Sequence, residues 1–357
     1  MTTNHNYYID LAFQIAEKNL GRTKLNPSVG TVIVKDDTVI SSAATSYNGR
    51  PHSEFNALKN LKNCNGASLY TTLEPCTHYG ETPPCVNIIV KKKIKNVFFA
   101  FEDPDIRTFK KAKKFLTQKG IKTKQIHTKK YSKFYQSYFT NKKLSIPFIS
   151  GKIAISKDYF TINKKDKWVT NETSRNLVHL LRNRYDCVLS TSKSINQDDS
   201  LLNCRIDGLN NNKPDLLIID LKLKLKKQLS LNKYLKIRKT FLITRKTNSR
   251  KIIAYKKLGY KFIFIDKLEC KSDFILLCKK IYEIGYSRML VEAGLTFLNY
   301  LIKNKMIHDL YIFKSNKKLG SKGRNNDTSN YLKKIHPKLL KINLNGDNLL
   351  KKEFYYV

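Results

Sequence analysis

No stretch of this 357-residue chain is long and apolar enough to span a bilayer, which takes roughly 20 consecutive apolar residues. Residues 1–8 are polar and hold no apolar core, which reads against a secretory signal. A disulfide framework is missing too. The seven cysteines are odd in number, and Cys64, Cys187, Cys204, Cys270 and Cys278 follow no framework spacing, so reduced thiols in a cytoplasmic protein are expected. No internal repeat is present, and low complexity is limited to Lys-rich loops near 222–238 and 314–326. Acid is scarce: 28 Asp and Glu face 68 Lys and Arg, a formal charge of +40. Such a balance raises the question of nucleic acid, but its distribution answers against it. Residues 1–100 hold 11 Lys and Arg against 7 Asp and Glu, and the surplus is spread over runs such as Lys91-Lys92-Lys93 and residues 221–227. Solubility and attraction of a small anionic substrate are sufficient consequences of that field. The length exceeds one average domain, so two are expected.

The chemistry is concentrated in Pro51-His52-Ser53-Glu54, Glu74-Pro75-Cys76 and Pro83-Pro84-Cys85. One His and two Cys are three zinc ligands, and Glu54 is left over. A structural zinc takes four protein ligands, whereas a catalytic one takes three and keeps a position for water, whose pKa falls to about 7. His-x-Glu followed by Pro-Cys and a second Cys is the order found in zinc-dependent base deaminases, in which the Glu shuttles protons. The local pattern suits these roles. Apolar spacing predicts a helix over 9–20 stopped by Gly21, paired strands over 29–34 and 38–42, a helix opened by His52 and Glu54, and a strand over 67–73 that delivers Cys76 just past its end. Pro83-Pro84 place Cys85 in the first turn of a helix, where Pro is tolerated and a thiolate is favoured. A strand over 96–101 follows, and the whole reads as a three-layer α/β/α arrangement with the metal at strand-to-helix ends.

After Ser145-Ile146-Pro147-Phe148 a second α/β series begins. Strands are expected at 147–155, 187–191, 215–220, 240–244, 261–265 and 288–292, with helices at 172–184 and 272–284. Val291-Glu292-Ala293-Gly294 is a strand running into a Gly before a helix near Leu295, a turn that lets phosphate approach backbone N–H groups.

Eight residues separate Cys76 from Cys85, longer than the usual Cys-x-x-Cys. The stretch Thr72-Leu73-Glu74-Pro75-Cys76-Thr77-His78-Tyr79-Gly80-Glu81-Thr82-Pro83-Pro84-Cys85, with Asn26-Pro27-Ser28-Val29-Gly30 upstream, resembles the deaminase of bacterial riboflavin biosynthesis. Ser53 replaces the family's usual Ala, and Glu81 stands where a basic residue is common. The second half resembles the reductase of the same bifunctional family through Lys152 to Ser156, Trp168-Val169-Thr170, Leu180-Leu181-Arg182, Ser194 to Asp199 and Val291 to Gly294. Tyr159-Phe160 replace a Gly and a basic residue there, Asp166 a common Ser, and Ser200 a Pro.

The resemblance implies a cytidine-deaminase-like domain over 1–145 and a dihydrofolate-reductase-like, NADPH-using domain over 146–357. His52, Cys76 and Cys85 would hold Zn2+, Glu54 would handle protons, and Asn26 would meet the pyrimidine edge. Ala154, Trp168, Ser194, Asp198 and Gly294 fall at cofactor positions, and Asp166, Arg182, Leu202, Arg205 and Glu292 at substrate positions. Arg182 and Arg205 suit a bidentate grip on phosphate, while Lys152 and Asp198 can handle protons. The partner implied is a small phosphoribosylaminopyrimidine, with no membrane; a homo-oligomer stays open. Three alternatives stand beside this reading: a nucleoside or RNA deaminase with a basic tail, a deaminase whose second domain is only a scaffold, and a non-enzymatic binding protein.

Overall fold

A computed structural model of the chain describes residues 4–209, 214–247, 249–329 and 331–354. The chain divides into two compact units, Met1–Ser145 and Ile146–Val357. No helix among the described residues is long and apolar enough to cross a membrane.

The first unit runs α1 (His5–Glu17), β1 (Gly30–Lys35), β2 (Thr38–Ala44), α2 (Ser53–Leu58), β3 (Ser68–Leu73), α3 (Cys85–Lys91), β4 (Asn96–Phe101), α4 (Lys111–Gln118), β5 (Lys122–Gln125) and α5 (Gln136–Leu144). Its five strands lie in the order β2-β1-β3-β4-β5. β1 is antiparallel to both neighbours, whereas β3, β4 and β5 are parallel. One face carries Ile9, Phe13, Tyr135 and Tyr138 from α1, α5 and the segment before it. The other carries Leu58, Val86, Ile89 and Leu116 from α2, α3 and α4. Covered on both sides, β1 is buried along nearly its whole length, and this is why it reads as a continuous apolar run. Gly30 lets α1 lie directly on β1, because a Cβ there would sit 1.9 Å from the Ala12 carbonyl oxygen. α1 starts and ends earlier than its apolar spacing predicts. Asn4 caps it by accepting from Tyr7 N, and residues 18–20 continue as turns.

The second unit runs β6 (Phe148–Ile155), β7 (Ile162–Asn163), α6 (Glu172–Arg182), β8 (Cys187–Thr191), α7 (Ser192–Asp198), β9 (Asp215–Ile219), β10 (Thr240–Thr244), α8 (Ser249–Leu258), β11 (Lys261–Phe264), α9 (Lys271–Glu283), β12 (Arg288–Val291), α10 (Leu295–Lys303), β13 (Asp309–Lys314), β14 (Gly323–Arg324), β15 (Lys338–Leu344) and β16 (Asp347–Glu353). Nine strands form one sheet in the order β11-β10-β9-β8-β12-β6-β13-β16-β15, and β7 pairs with β14 separately. The strands from β11 to β13 are parallel, and β16 and β15 are added antiparallel. α9 and α10 cover one face through Phe274, Leu277, Ile281 and Leu298. Ile195 of α7 and Tyr255 of α8 cover the other. In such a sheet the carboxyl ends of the central strands β8, β12 and β6 are where ligands bind.

Candidate functional site

In the first unit the loops after β2 and β3 deliver the reactive groups. His52 is the extended N-cap residue of α2, Cys76 lies just beyond β3, and Cys85 opens α3 behind Pro84. The ligand atoms of His52, Cys76 and Cys85 all lie within 4.8 Å of one another. His52 Nδ1 faces both sulfurs, at 3.6 Å from Cys76 Sγ and 3.4 Å from Cys85 Sγ. The Cys85 amide donates to Cys76 Sγ at 3.2 Å. A hydrogen bond from Cys85 outweighs burial and, with His52, draws the Cys76 thiol down to about 4. The same contact, together with burial, pushes Cys85 up. Two sulfurs that share one proton beside a ring nitrogen are a donor set whose proton a divalent soft cation replaces, so the residues fit zinc.

Glu54 is buried one residue into the same helix; burial raises its pKa, and the Cys76 charge adds to this. Ser53 donates its hydroxyl proton to Glu54 Oε2 at 3.1 Å, and its oxygen lies 2.7 Å from Thr31 Oγ1. An Ala at this position would leave Glu54 without that donor. Asn26 donates to the Gly49 carbonyl at 3.3 Å, which sets it beside the turn leading to His52. Arg50, which the sequence reading passes over although it lies two residues from His52, donates to Thr82 Oγ1 at 2.8 Å and pairs with Glu81 at 3.2 Å.

In the second unit Ala154, Ser194, Glu292 and Gly294 lie at or just beyond the carboxyl ends of β6, β8 and β12. Ser194 Oγ accepts from Gly294 N at 3.3 Å, which joins the start of α7 to the start of α10. α10 has no side-chain cap, and a Cβ on Gly294 would meet only Ser194 Oγ, at 3.9 Å. An uncapped N-terminus with open space before it suits the negative groups of a dinucleotide. Trp168 is 47% exposed, with the Arg175 guanidinium 4.7 Å and Lys167 Nζ 5.4 Å from its ring centre. Asp166 accepts from Trp168 N at 3.2 Å. Asp198 ends α7, and burial raises its pKa against the opposing pull of Lys167. Ala154 lies near the end of β6, packed beside Val178 and Phe313. These residues fit a nicotinamide dinucleotide.

Of the substrate positions, Arg182 and Glu292 form a buried charged cluster with Lys152, whereas Arg205 and Asp166 are exposed. Arg182 Nε and Nη2 donate to Glu292 Oε1 and Oε2 at 2.5 and 2.9 Å, and its Nη1 donates to the Asn203 carbonyl at 3.1 Å. Lys152 Nζ lies 3.5 Å from Glu292. Burial pushes the Glu292 carboxyl up, but Arg182 and Lys152 outweigh it and hold it at about 2. This corrects the expectation that Arg182 grips phosphate bidentately, because its paired N–H groups are already engaged by Glu292. Arg205 is less committed: one N–H goes to Asn203 Oδ1 at 2.7 Å. Leu202 holds a left-handed conformation, φ 49°, and its carbonyl accepts from Arg238 at 2.9 Å. Arg238 and His179 belong to this cluster and are absent from the sequence reading. His179 Nδ1 donates to the Asn203 carbonyl at 2.8 Å, and burial with the Arg182 charge draws its pKa down to about 4. No local signal marks either residue, since their partners lie across the fold.

Two family descriptions match the chain: the cytidine and deoxycytidylate deaminase zinc-binding region over residues 2–101, and the RibD C-terminal domain over 147–349. The riboflavin biosynthesis protein RibD of Buchnera aphidicola subsp. Baizongia pistaciae is 30% identical, over 88% of this chain and 88% of its own length. That of Aquifex aeolicus is 30% identical over 88% and 87%. A solved structure of Acinetobacter baumannii RibD superposes with a TM-score of 0.83 at 27% identity, covering 97% of this chain and 98% of that one.

Proposed function

The chain belongs to the RibD family of riboflavin biosynthesis proteins, and from that premise we propose how its two units divide the work. It is a bifunctional deaminase and reductase of riboflavin biosynthesis, with zinc serving one reaction and NADPH the other. Residues 1–145 carry the deamination of 2,5-diamino-6-(5-phosphoribosylamino)pyrimidin-4-one, in which water supplies the carbonyl oxygen that replaces the 2-amino group and ammonia leaves. Residues 146–357 carry the reduction of the ribosyl chain to ribityl. The observation that supports this most is the compact His52, Cys76 and Cys85 set with a buried Glu54 beside it.

His52, Cys76 and Cys85 would hold the zinc, which when bound would supply a Lewis acid that acidifies a water molecule. Glu54 would take one proton from that water and pass it to the ring nitrogen, then take the second proton from the hydroxyl left on the ring carbon and pass it to the departing amine, which leaves as ammonia. Ser53 holds Glu54 in one orientation, and Asn26 meets the edge of the pyrimidine.

NADPH bound in the second unit would supply the hydride for C1 of the ribose, whose bond to the ring oxygen breaks while that oxygen takes a proton. Trp168, Ser194, Asp198, the turn at Gly294 and Ala154 are the residues that would hold the cofactor. Arg182 and Lys152 keep Glu292 ionised and fixed, so that its free lone pairs accept from the sugar hydroxyls. Arg205 offers charge to the phosphate, and Lys152 and Asp198 are the nearby proton carriers. The positive charge of the chain acts as a field for this small anion and not for nucleic acid.

Mass spectrometry of the products tests the whole. The purified protein should release ammonia from the pyrimidine ribotide without NADPH, and should yield the ribityl product only with it. Deamination of transfer RNA or single-stranded nucleic acid, with the ribotide untouched, would refute the reading.

A further inference from the structure

His52 turns Nδ1 toward Cys76 and Cys85, so a metal on that nitrogen leaves the ring proton on Nε2. Arg50 Nη1 lies 3.4 Å from this Nε2. With donors on both sides the approach is a contact and not a hydrogen bond. A permanent cation is therefore pressed against the outer edge of a metal-binding ring, at the rim of the site.

Three features fix the guanidinium there. Nη1 donates to Thr82 Oγ1 at 2.8 Å. The group lies against the Gly80 backbone, where a Cβ would come within 3.3 Å of Nη2. Nε meets Glu81 Oε2 at 3.2 Å. The first two belong to the scaffold, but the third is loosely held: the Glu81 side chain is 83% exposed and that of Arg50 only 25%. An exposed ion pair of this kind contributes little, so Glu81 is easily displaced. The edge it occupies has the fork geometry that phosphate takes up bidentately.

We infer that Arg50 is the phosphate-binding residue of the deamination site, and that Glu81 is an internal anion which occupies its free edge until a phosphorylated substrate displaces it. This rests on the proposed deaminase reading. It places the anion handle on the segment that enters α2 and not on the loop between the two cysteines, where position 81 is acidic. Discrimination between a phosphoribosyl compound and its dephosphorylated riboside then lies with Arg50.

The test compares kcat/KM of the full-length, zinc-loaded protein for the pyrimidine ribotide and for the same compound without phosphate, at fixed ionic strength, with zinc content measured on every sample. Arg50→Gln should lower kcat/KM for the ribotide roughly 10- to 100-fold, the scale of a lost charge-assisted bidentate contact. The riboside should lose several-fold less than the ribotide, because Arg50 also borders the metal-binding His52 ring but only the ribotide loses a phosphate contact as well, and zinc should stay at one per chain. Glu81→Gln, which frees the edge, should lower the ribotide KM, and competition by ribose 5-phosphate should strengthen in parallel. Equal loss on both compounds in Arg50→Gln, loss of zinc, or a raised ribotide KM in Glu81→Gln would each overturn the assignment while leaving the deaminase reading in place. A wild-type protein that turns over neither compound would overturn that reading and the assignment with it.

Discussion

Replacing Arg182 by Ala removes the principal counter-charge of a buried carboxylate. Glu292 is 8% exposed, and its carboxyl is held at about 2 although burial alone would raise it. Relative to an ordinary Glu, a shift of this size corresponds to about 3 kcal/mol of stability at neutral pH. Breaking a buried pair by deleting one partner costs about 3–5 kcal/mol, a range that agrees with the shift. For a unit of this size the loss lowers the melting temperature by about 6–20 °C. The sign with pH follows from the depressed pKa. The contribution is complete above the unfolded value near 4.3 and disappears as pH falls toward about 2, so the penalty of Arg182→Ala should be largest at pH 7 and shrink at pH 3. The chain has a single tryptophan, Trp168, which lies in the second unit, so its fluorescence reports the unfolding of that unit in the full-length protein. Urea titrations of wild type and variant at the two pH values supply the comparison. A difference below about 1 kcal/mol at pH 7, no more than an exposed pair contributes, or one equally large at pH 3, would refute the argument.

Cys76→Ser should abolish zinc binding and deamination together, whereas Glu54→Gln should retain zinc and lose deamination; metal analysis beside an ammonia assay checks both. Trp168→Ala should weaken NADPH binding by roughly 5- to 50-fold in calorimetry, on the scale of a large aromatic contact, with deamination unchanged. Raising salt from 50 to 200 mM should weaken ribotide binding less than about tenfold, since one phosphate releases few counterions; a nucleic-acid partner with six to ten phosphate contacts would lose about 10³ to 10⁵.

The zinc set was legible because its three ligands lie within one short stretch, on the connections that enter α2 and α3, and because zinc admits few donor types. Most of the parallel strands were legible as well: burial on both faces writes them as plain apolar runs, as in β8 and β10, although β13, also parallel and largely buried, was not expected. α4 and β5 were missed because their pattern is sparse. Only Ala112 and Leu116 are buried in the Lys-rich α4, and no residue of β5 is fully buried. β15 is exposed over most of its length, so nothing in its composition separates it from a loop.

Residue identity alone determined which chemistries are present: a catalytic metal set, two α/β units, and cations enough for an anionic substrate. The tertiary structure decided which charge answers which. Arg182 and Glu292 are 110 residues apart in the chain, and the order β8-β12-β6 brings them together. Arg50 reaches Glu81 and Thr82 only because the loop between the cysteines folds back over the entry to α2. A cation's worth depends on the dielectric around it and on the lone pairs within about 3 Å, and both are properties of the packed fold.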